Sequence, residues 1–304
     1  MEGNDILILN TIDEYNKAYG LPTRHPLLSV FNLRDAKVIC NHITVNYGVY
    51  ALFLKNDASC SLKYGREYYD YQEGTVVSFA PGQVVRVDLE DPDASRGVYG
   101  ILFHPDLIHG TSLGEHIGSY TFFQYSEKEA LHLSEGERKI FVDTLERISK
   151  ELEYPVDKHS RQLLSSSIEL LLEYCLRFYD RQFITRGKVN DGVLETFEKA
   201  LGEYFESDSP LTLGIPSVSY FASKVFLSPG YFGDLVKKET GKTAQEYIQD
   251  KIISLSKHRL LRDNESISAI AYDLGFQYPQ HFTRLFKSKT GMSPQKFRQL
   301  STDN

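Results

Sequence analysis

Gln280, Thr283, Arg284 and Lys287 are spaced so that a helix over this stretch turns all four to one face, opposite Phe282, Leu285 and Phe286. Their chemistry is recognition rather than bond-making. A guanidinium offers two parallel donors that match a guanine edge, and a carboxamide matches adenine in the same paired fashion. Arg284 is therefore the strongest single candidate for reading a base, with Gln280 and Thr283 beside it. His281, Lys287 and Lys289 are better placed for phosphates, which position a protein on a duplex without reading its sequence.

The flanking residues supply the frame. Ile267, Ile270, Ala271 and Leu274 form the apolar stripe of a short helix. Gly275 ends that helix, because glycine enters the left-handed region without steric cost. Pro279 suits the first turn of the next helix, where its missing N–H is no loss. A short helix packed across a second that displays Gln, Thr and Arg is the geometry that places side chains in a DNA major groove.

The pattern occurs twice. Val218, Phe221, Ala222 and Val225 match the first stripe, and Pro229, Phe232, Leu235, Lys237, Gly241 and Tyr247 match Pro279, Phe282, Leu285, Lys287, Gly291 and Phe297. Ser228-Pro229 makes a good helix start. The first copy would bring Ser228, Gly230, Tyr231, Asp234, Lys237 and Lys238 to the duplex. Asp234 stands where the second copy has Arg284, so the first copy is expected mainly to anchor and the second mainly to specify. Phe226 replaces the turn glycine, which predicts a turn closed differently. Between the copies, a capping box of Thr243 and Glu246 opens a connecting helix that runs to about Leu261.

This arrangement resembles the AraC/XylS family of bacterial transcription regulators. The second copy carries that family's signature at Ile270-Ala271, Gly275-Phe276, Phe282, Arg284, Phe286-Lys287, Gly291, Pro294 and Arg298, and the match covers roughly residues 215–300. The resemblance implies sequence-specific binding of double-stranded DNA, activation beside RNA polymerase and an N-terminal cupin-like sensor. It also implies helices that form a homodimer.

Charge is divided along the chain. The net charge is −7 overall, yet Gly214 to Asn304 carries 13 Lys and Arg against 8 Asp and Glu, a net of +5. The rest holds 21 basic and 33 acidic groups, a net of −12. Basic charge thus gathers where phosphates would need neutralising. No run approaches a membrane span, no leader is recognisable, and Cys40, Cys60 and Cys175 are scattered without metal or redox spacing, so a cytoplasmic protein with reduced buried thiols is expected.

The N-terminal part reads as short strands, Lys37–Val45, Tyr47–Lys55, Ser61–Tyr64, Thr75–Ala80, Val84–Leu89 and Gly97–His104, which predict an antiparallel sandwich or barrel. Residues Tyr69 to Gln83 look like the hairpin of the family's cupin-like domains. No His-x-His pair is present; His104 and His109 flank Pro105, while His25, His42 and His116 are scattered, so no metal, cofactor or catalytic residue is expected. Tyr50, Tyr64, Phe79 and Phe103 are the candidates for contact with a small-molecule effector, with Arg66 and Arg86 as conceivable partners of an anion. Aromatic residues in a small barrel fill its core or line a pocket, and the sequence leaves both open.

Residues 134–183 carry two apolar stripes: Phe141, Leu145, Ile148 and Leu152, then Leu164, Ile168, Leu171, Cys175 and Phe178. Pro155 separates them into an antiparallel helix pair, which dimerises or simply packs on the barrel. Asp180 to Asp191 reads as a linker, and Gly192 to Phe205 as a further helix. The expected fold is an α+β multidomain chain. Residues 1–130 form an antiparallel cupin-like β-barrel, 131–190 a helical dimerisation segment and linker, and 191–304 an all-α domain with helix-turn-helix motifs at 218–241 and 267–291. Two alternatives remain: a cupin-type metalloenzyme with an accessory DNA-binding domain, and a ligand-independent DNA-binding module.

Overall fold

The computed structural model describes residues 6–37, 43–55, 74–87, 97–262 and 265–302. They fall into two compact units, Met1–Arg186 and Gly187–Asn304.

The first unit begins with β1 (Ile6–Leu9) and α1 (Ile12–Tyr19), followed by β2 (Leu28–Asn32), β3 (Ile43–Tyr47), β4 (Tyr50–Lys55), β5 (Thr75–Phe79), β6 (Val84–Val87) and β7 (Val98–Phe103). Short helices α2 (Pro105–Ile108) and α3 (Ser112–His116) lead to β8 (Leu131–His132), α4 (Glu135–Glu151) and α5 (Ser160–Thr185). The expected strand Ser61–Tyr64 lies outside the described residues, as do Tyr69–Glu73. The start of α1 is held by a capping box in which Thr11 accepts from the Glu14 N–H at 3.2 Å and Glu14 accepts from the Thr11 N–H at 3.0 Å.

The strands make two sheets instead of a closed barrel. One has the order β2-β7-β4-β5-β8 and is antiparallel throughout; the other has the order β1-β3-β6. Among the described residues β1, β6, β2 and β8 remain edges, so the expected barrel is not closed by strand pairing. One edge of β3 is taken by β1, which runs parallel to it. Leu9, Val45, Tyr47 and Val85 of the small sheet share a core with Phe31, Ala51, Val77, Phe79 and Leu102 of the large one. Ala80 to Gln83 carries the chain from the large sheet to the small one. At this corner Gly82 has φ +87° and the Gln83 side chain donates to the Phe123 carbonyl at 2.8 Å.

Helices α4 and α5 pack on each other, burying Phe141, Leu145, Ile148, Leu164, Ile168, Leu171, Cys175 and Phe178. Burial pushes the Cys175 thiol well above its ordinary value. The end of α5 docks on β8: the Gln182 carboxamide accepts from the His132 N–H at 2.8 Å and donates to the Ala130 carbonyl at 3.1 Å. Arg181 donates to both oxygens of Glu137, at 3.0 and 2.9 Å. The expected linker at Asp180–Asp191 is therefore helical on both sides of Arg186. Asp180 is exposed and Arg181 is paired with Glu137, while Gln182 and Phe183 continue the buried face.

The second unit contains α6 (Gly187–Glu206), α7 (Ser209–Leu213), α8 (Val218–Lys224), α9 (Pro229–Thr240), α10 (Ala244–Arg262), α11 (Ile267–Asp273), α12 (Pro279–Thr290) and α13 (Pro294–Thr302). One core joins Phe197 and Leu201 of α6 to Phe221, Phe232, Ile248, Ile252, Ile270, Phe282 and Phe286. The capping box of Thr243 and Glu246 opens α10, with hydrogen bonds of 2.9 and 3.2 Å.

The Arg181–Glu137 pair is mostly shielded from solvent, so removing one partner strands the other. Arg181→Ala should lower stability by about 3 kcal/mol, read from the denaturant midpoint of the first unit. A loss below about 0.5 kcal/mol would show the pair behaving as an ordinary surface contact.

Candidate nucleic-acid interface

Each motif is a capped short helix, a tight turn and a longer helix. Ser217 accepts from the Tyr220 N–H at 3.1 Å to start α8, and Ser266 accepts from the Ala269 N–H at 3.0 Å to start α11. Phe221 and Ala222 face the core from α8 as Ile270 and Ala271 do from α11. At their far ends, α9 and α12 both stop at a left-handed glycine, Gly241 and Gly291. Its N–H reaches the carbonyl of Lys237 or Lys287 at 2.9 Å.

The two turns are closed in the same way, contrary to the expectation drawn from Phe226. The Leu227 N–H donates to Ala222 and the Phe276 N–H to Ala271, each at 3.0 Å. Phe226 and Gly275 donate to Ser223 and Tyr272 at 3.3 and 2.9 Å. Phe226 itself takes the left-handed conformation, at φ +59°, and is 91% exposed. Glycine is dispensable there because nothing crowds the turn. At Gly275 it is required twice over: φ is +91°, and a Cβ would come within 2.6 Å of the Gly214 backbone. The difference in length follows the turn, where Ser228 caps α9 by accepting from the Tyr231 N–H at 3.2 Å, while Tyr278 gives α12 no side-chain cap.

On α12, Gln280, His281, Arg284 and Lys287 are exposed together on one side of the helix. The Tyr278 ring lies edge-on to His281, centroids 5.6 Å apart. Thr283 is half-buried, and its hydroxyl donates to the Pro279 carbonyl at 3.2 Å. Lys289, expected to be available for phosphate, instead contacts Asp250 of α10 at 3.0 Å. On α9, Lys237 and Lys238 are exposed, while Gly230, Gly233 and Asp234 are half-buried. Tyr231 leaves the expected interface altogether: it is 4% exposed, on the core side of α9 with Phe232 and Leu235.

Two charge clusters that sequence spacing did not reveal brace these helices from α10. Arg259 donates to Glu265 at 2.7 Å and to Asp273 at 2.6 Å, tying α10 to α11. Asp250 receives Lys242 at 2.7 Å as well as Lys289. Partial burial works against ionisation of Asp250, but the hydrogen bonds from Lys242 and Lys289 outweigh it and hold the carboxyl below its ordinary value.

The expected effector residues of the first unit do not converge. Tyr50 stacks on buried Phe103 at 5.0 Å, whereas Phe79 packs against Tyr47 and Phe53. Strand alternation puts these two groups on opposite faces of the sheet. The cavity beside Phe79 measures about 10 Å³, too small for more than one water. Tyr64, Arg66 and the Arg86 side chain lie outside the described residues. A larger cleft of about 440 Å³ lies elsewhere in the unit, lined by His25, Leu107, His109, Asp157 and Arg161 among others.

Residues 221–300 match the model of a helix-turn-helix domain. The C-terminal region is an AraC-type helix-turn-helix domain. Among curated relatives, the chain is 40% identical over 70 residues to the uncharacterized HTH-type transcriptional regulator YobQ of Bacillus subtilis, covering 23% of this chain and 29% of YobQ. It is 39% identical over 74 residues to the bifunctional transcriptional activator/DNA repair enzyme AdaA of the same organism, covering 24% of this chain and 35% of AdaA. Both matches thus span about a third or less of those relatives' length. A solved AraC-type DNA-binding domain-containing transcriptional regulator from Chromobacterium violaceum is 19% identical, covers 36% of this chain and 96% of its own, and gives a TM-score of 0.31.

The two turns of this AraC-type domain should respond oppositely to substitution. Phe226→Gly relieves a left-handed phenylalanine and should raise stability by about 0.5–1 kcal/mol, after the flexibility of glycine is counted. Gly275→Ala should lower it by about 2 kcal/mol or more through strain and overlap with Gly214. Thermal or denaturant unfolding of the two variants reads both signs.

Proposed function

We propose that this chain is a sequence-specific transcription regulator that grips double-stranded DNA with both motifs, placing α9 and α12 in successive major grooves about 34 Å apart. The exposed face of α12 carries the reading: Gln280, Arg284 and Lys287 stand clear of the core on a helix whose turn and ending are built twice in the same domain. Arg284 reads guanine through paired donors and Gln280 reads adenine. Thr283, half-buried, adds a smaller contact. His281 and Lys287 hold phosphates, and so do Lys237 and Lys238 on α9. Gly230, Asp234 and the N-cap Ser228 offer no paired donors to a base edge, so α9 mainly anchors through Lys237 and Lys238. Asp234 repels phosphate and is tolerated where it accepts a hydrogen bond from a cytosine amino group.

The net +5 charge on Gly214 to Asn304 supports this assignment, as does the regulatory role in the printed names of YobQ and AdaA. The word activator in AdaA's name favours activation, and we place that activation beside RNA polymerase in the cytoplasm, as the sequence resemblance implies. AdaA joins a repair activity to its regulatory one; to this chain we assign no catalytic step. The N-terminal unit controls the domain, and a homodimer forms through the helical pair. Leu163 and Leu170 lie one heptad apart on the outer side of α5, both exposed, where a second copy could cover them. Control requires an effector or partner whose affinity differs between at least two arrangements of the chain.

Selection from randomised duplexes by the full-length protein should enrich one motif, and Arg284→Ala should lose discrimination at one position of it, by about 1–3 kcal/mol. Asp234→Ala should bind the same motif equally or more tightly. Enrichment of no motif by the wild-type protein would exclude sequence-specific reading. A loss of preference throughout the site in Asp234→Ala would exclude the anchoring role of α9.

A further inference from the structure

Asp250 lies in the first part of α10 and holds a lysine from either side. Lys242 is the residue after Gly241, where α9 ends, and its Nζ sits 2.7 Å from one Asp250 oxygen. Lys289 is in the last turn of α12, and its Nζ sits 3.0 Å from the other oxygen. One carboxylate therefore joins the exit of the first reading helix to the end of the second. This connection is not visible in the spacing of the sequence, because Asp250 and Lys289 are 39 residues apart.

The apolar core alone leaves a degree of freedom. Ile248 and Ile252 pack α10 into the shared core, but apolar burial is non-directional and tolerates small sliding. A carboxylate with one ammonium on each oxygen is directional. The lever is short: Arg284 and Lys289 are five residues apart, about 7.5 Å along the helix at 1.5 Å per residue. A shift of about 1–2 Å at Lys289 carries through to Arg284, against a base step of about 3.4 Å.

We infer that Asp250 is a positioning residue for DNA reading: by holding Lys242 and Lys289 together it sets the offset of α12 from α9, and so the spacing of the two base patches that the chain accepts. This rests on the DNA-reading role proposed above. It also makes Lys289 a structural residue rather than a phosphate ligand.

The test uses full-length protein and the duplex that the wild type selects. Versions carry one base pair more or less between the two patches, and another has the patch under α9 scrambled. Asp250→Asn should bind the scrambled duplex within about threefold of wild type, while its preference for the natural spacing falls by about threefold to tenfold. Lys289→Gln, which cuts the tie from the α12 side, should flatten the spacing preference in the same way. An unchanged spacing preference in Asp250→Asn would overturn the inference. So would a uniform loss on every duplex accompanied by a lower Tm. If Lys289→Gln instead weakens binding to all duplexes and reduces the salt slope by about one, Lys289 is a phosphate contact and the inference fails. Failure of the wild type to select any motif would reject the DNA-reading role itself, a result distinct from these.

Discussion

The helix-turn-helix motif depends on one backbone constraint. Between its two helices one residue enters the left-handed region, so that the next N–H turns back to the end of the first helix. Both motifs meet this with the same pair of hydrogen bonds, to Ala222 and Ser223 in one and to Ala271 and Tyr272 in the other. Everything on the exposed face of α12 inherits its orientation from that turn. The direction in which Arg284 projects is set some nine residues earlier, at Gly275. The core that receives Phe282 and Phe286 then fixes the rotation of the helix about its own axis.

A second layer of constraint is electrostatic. Three acidic residues of the basic region brace its helices. Arg259 gathers Glu265 and Asp273, and Asp250 gathers Lys242 and Lys289. These clusters lie at the periphery of an apolar core. Each pair is worth little as stability, about 0–1 kcal/mol where exposed. Their contribution is geometric, since a charged contact has a preferred direction and apolar packing does not.

The motifs were legible in the sequence because their determinants are local. Stripes at helical period, Gly275, Pro279, the two glycine stops and the Thr243–Glu246 box all act within a turn or two of helix. What was not legible depends on partners distant in the chain. Closure of the sheets turns on which strand edges meet, and β1 joins β3 in parallel across an intervening helix and strand, a pairing that no local spacing marks. Tyr231 looked like an interface residue beside Gly230, but its side chain falls on the same side as Phe232 and Leu235. The charges of Asp180 and Arg181 suggested a linker, and only the sheet edge they approach shows why Gln182 and Phe183 are buried. The Thr11 capping box was readable in principle; its pattern is the same one recognised at Thr243.

The two turns also differ in what surrounds them. Gly275 lies under the backbone of Gly214 and Ile215, so the second turn is sealed by another part of the chain. The first turn presents Phe226 to solvent. After a duplication, two copies of a motif begin with equal freedom to drift, and burial ends that freedom in one of them. Here the sealed copy is locked to a single residue type at its turn, while the open copy can sample side chains of any size, as an aromatic residue in this position shows. The difference between the copies at this one turn position falls where the fold leaves room for it.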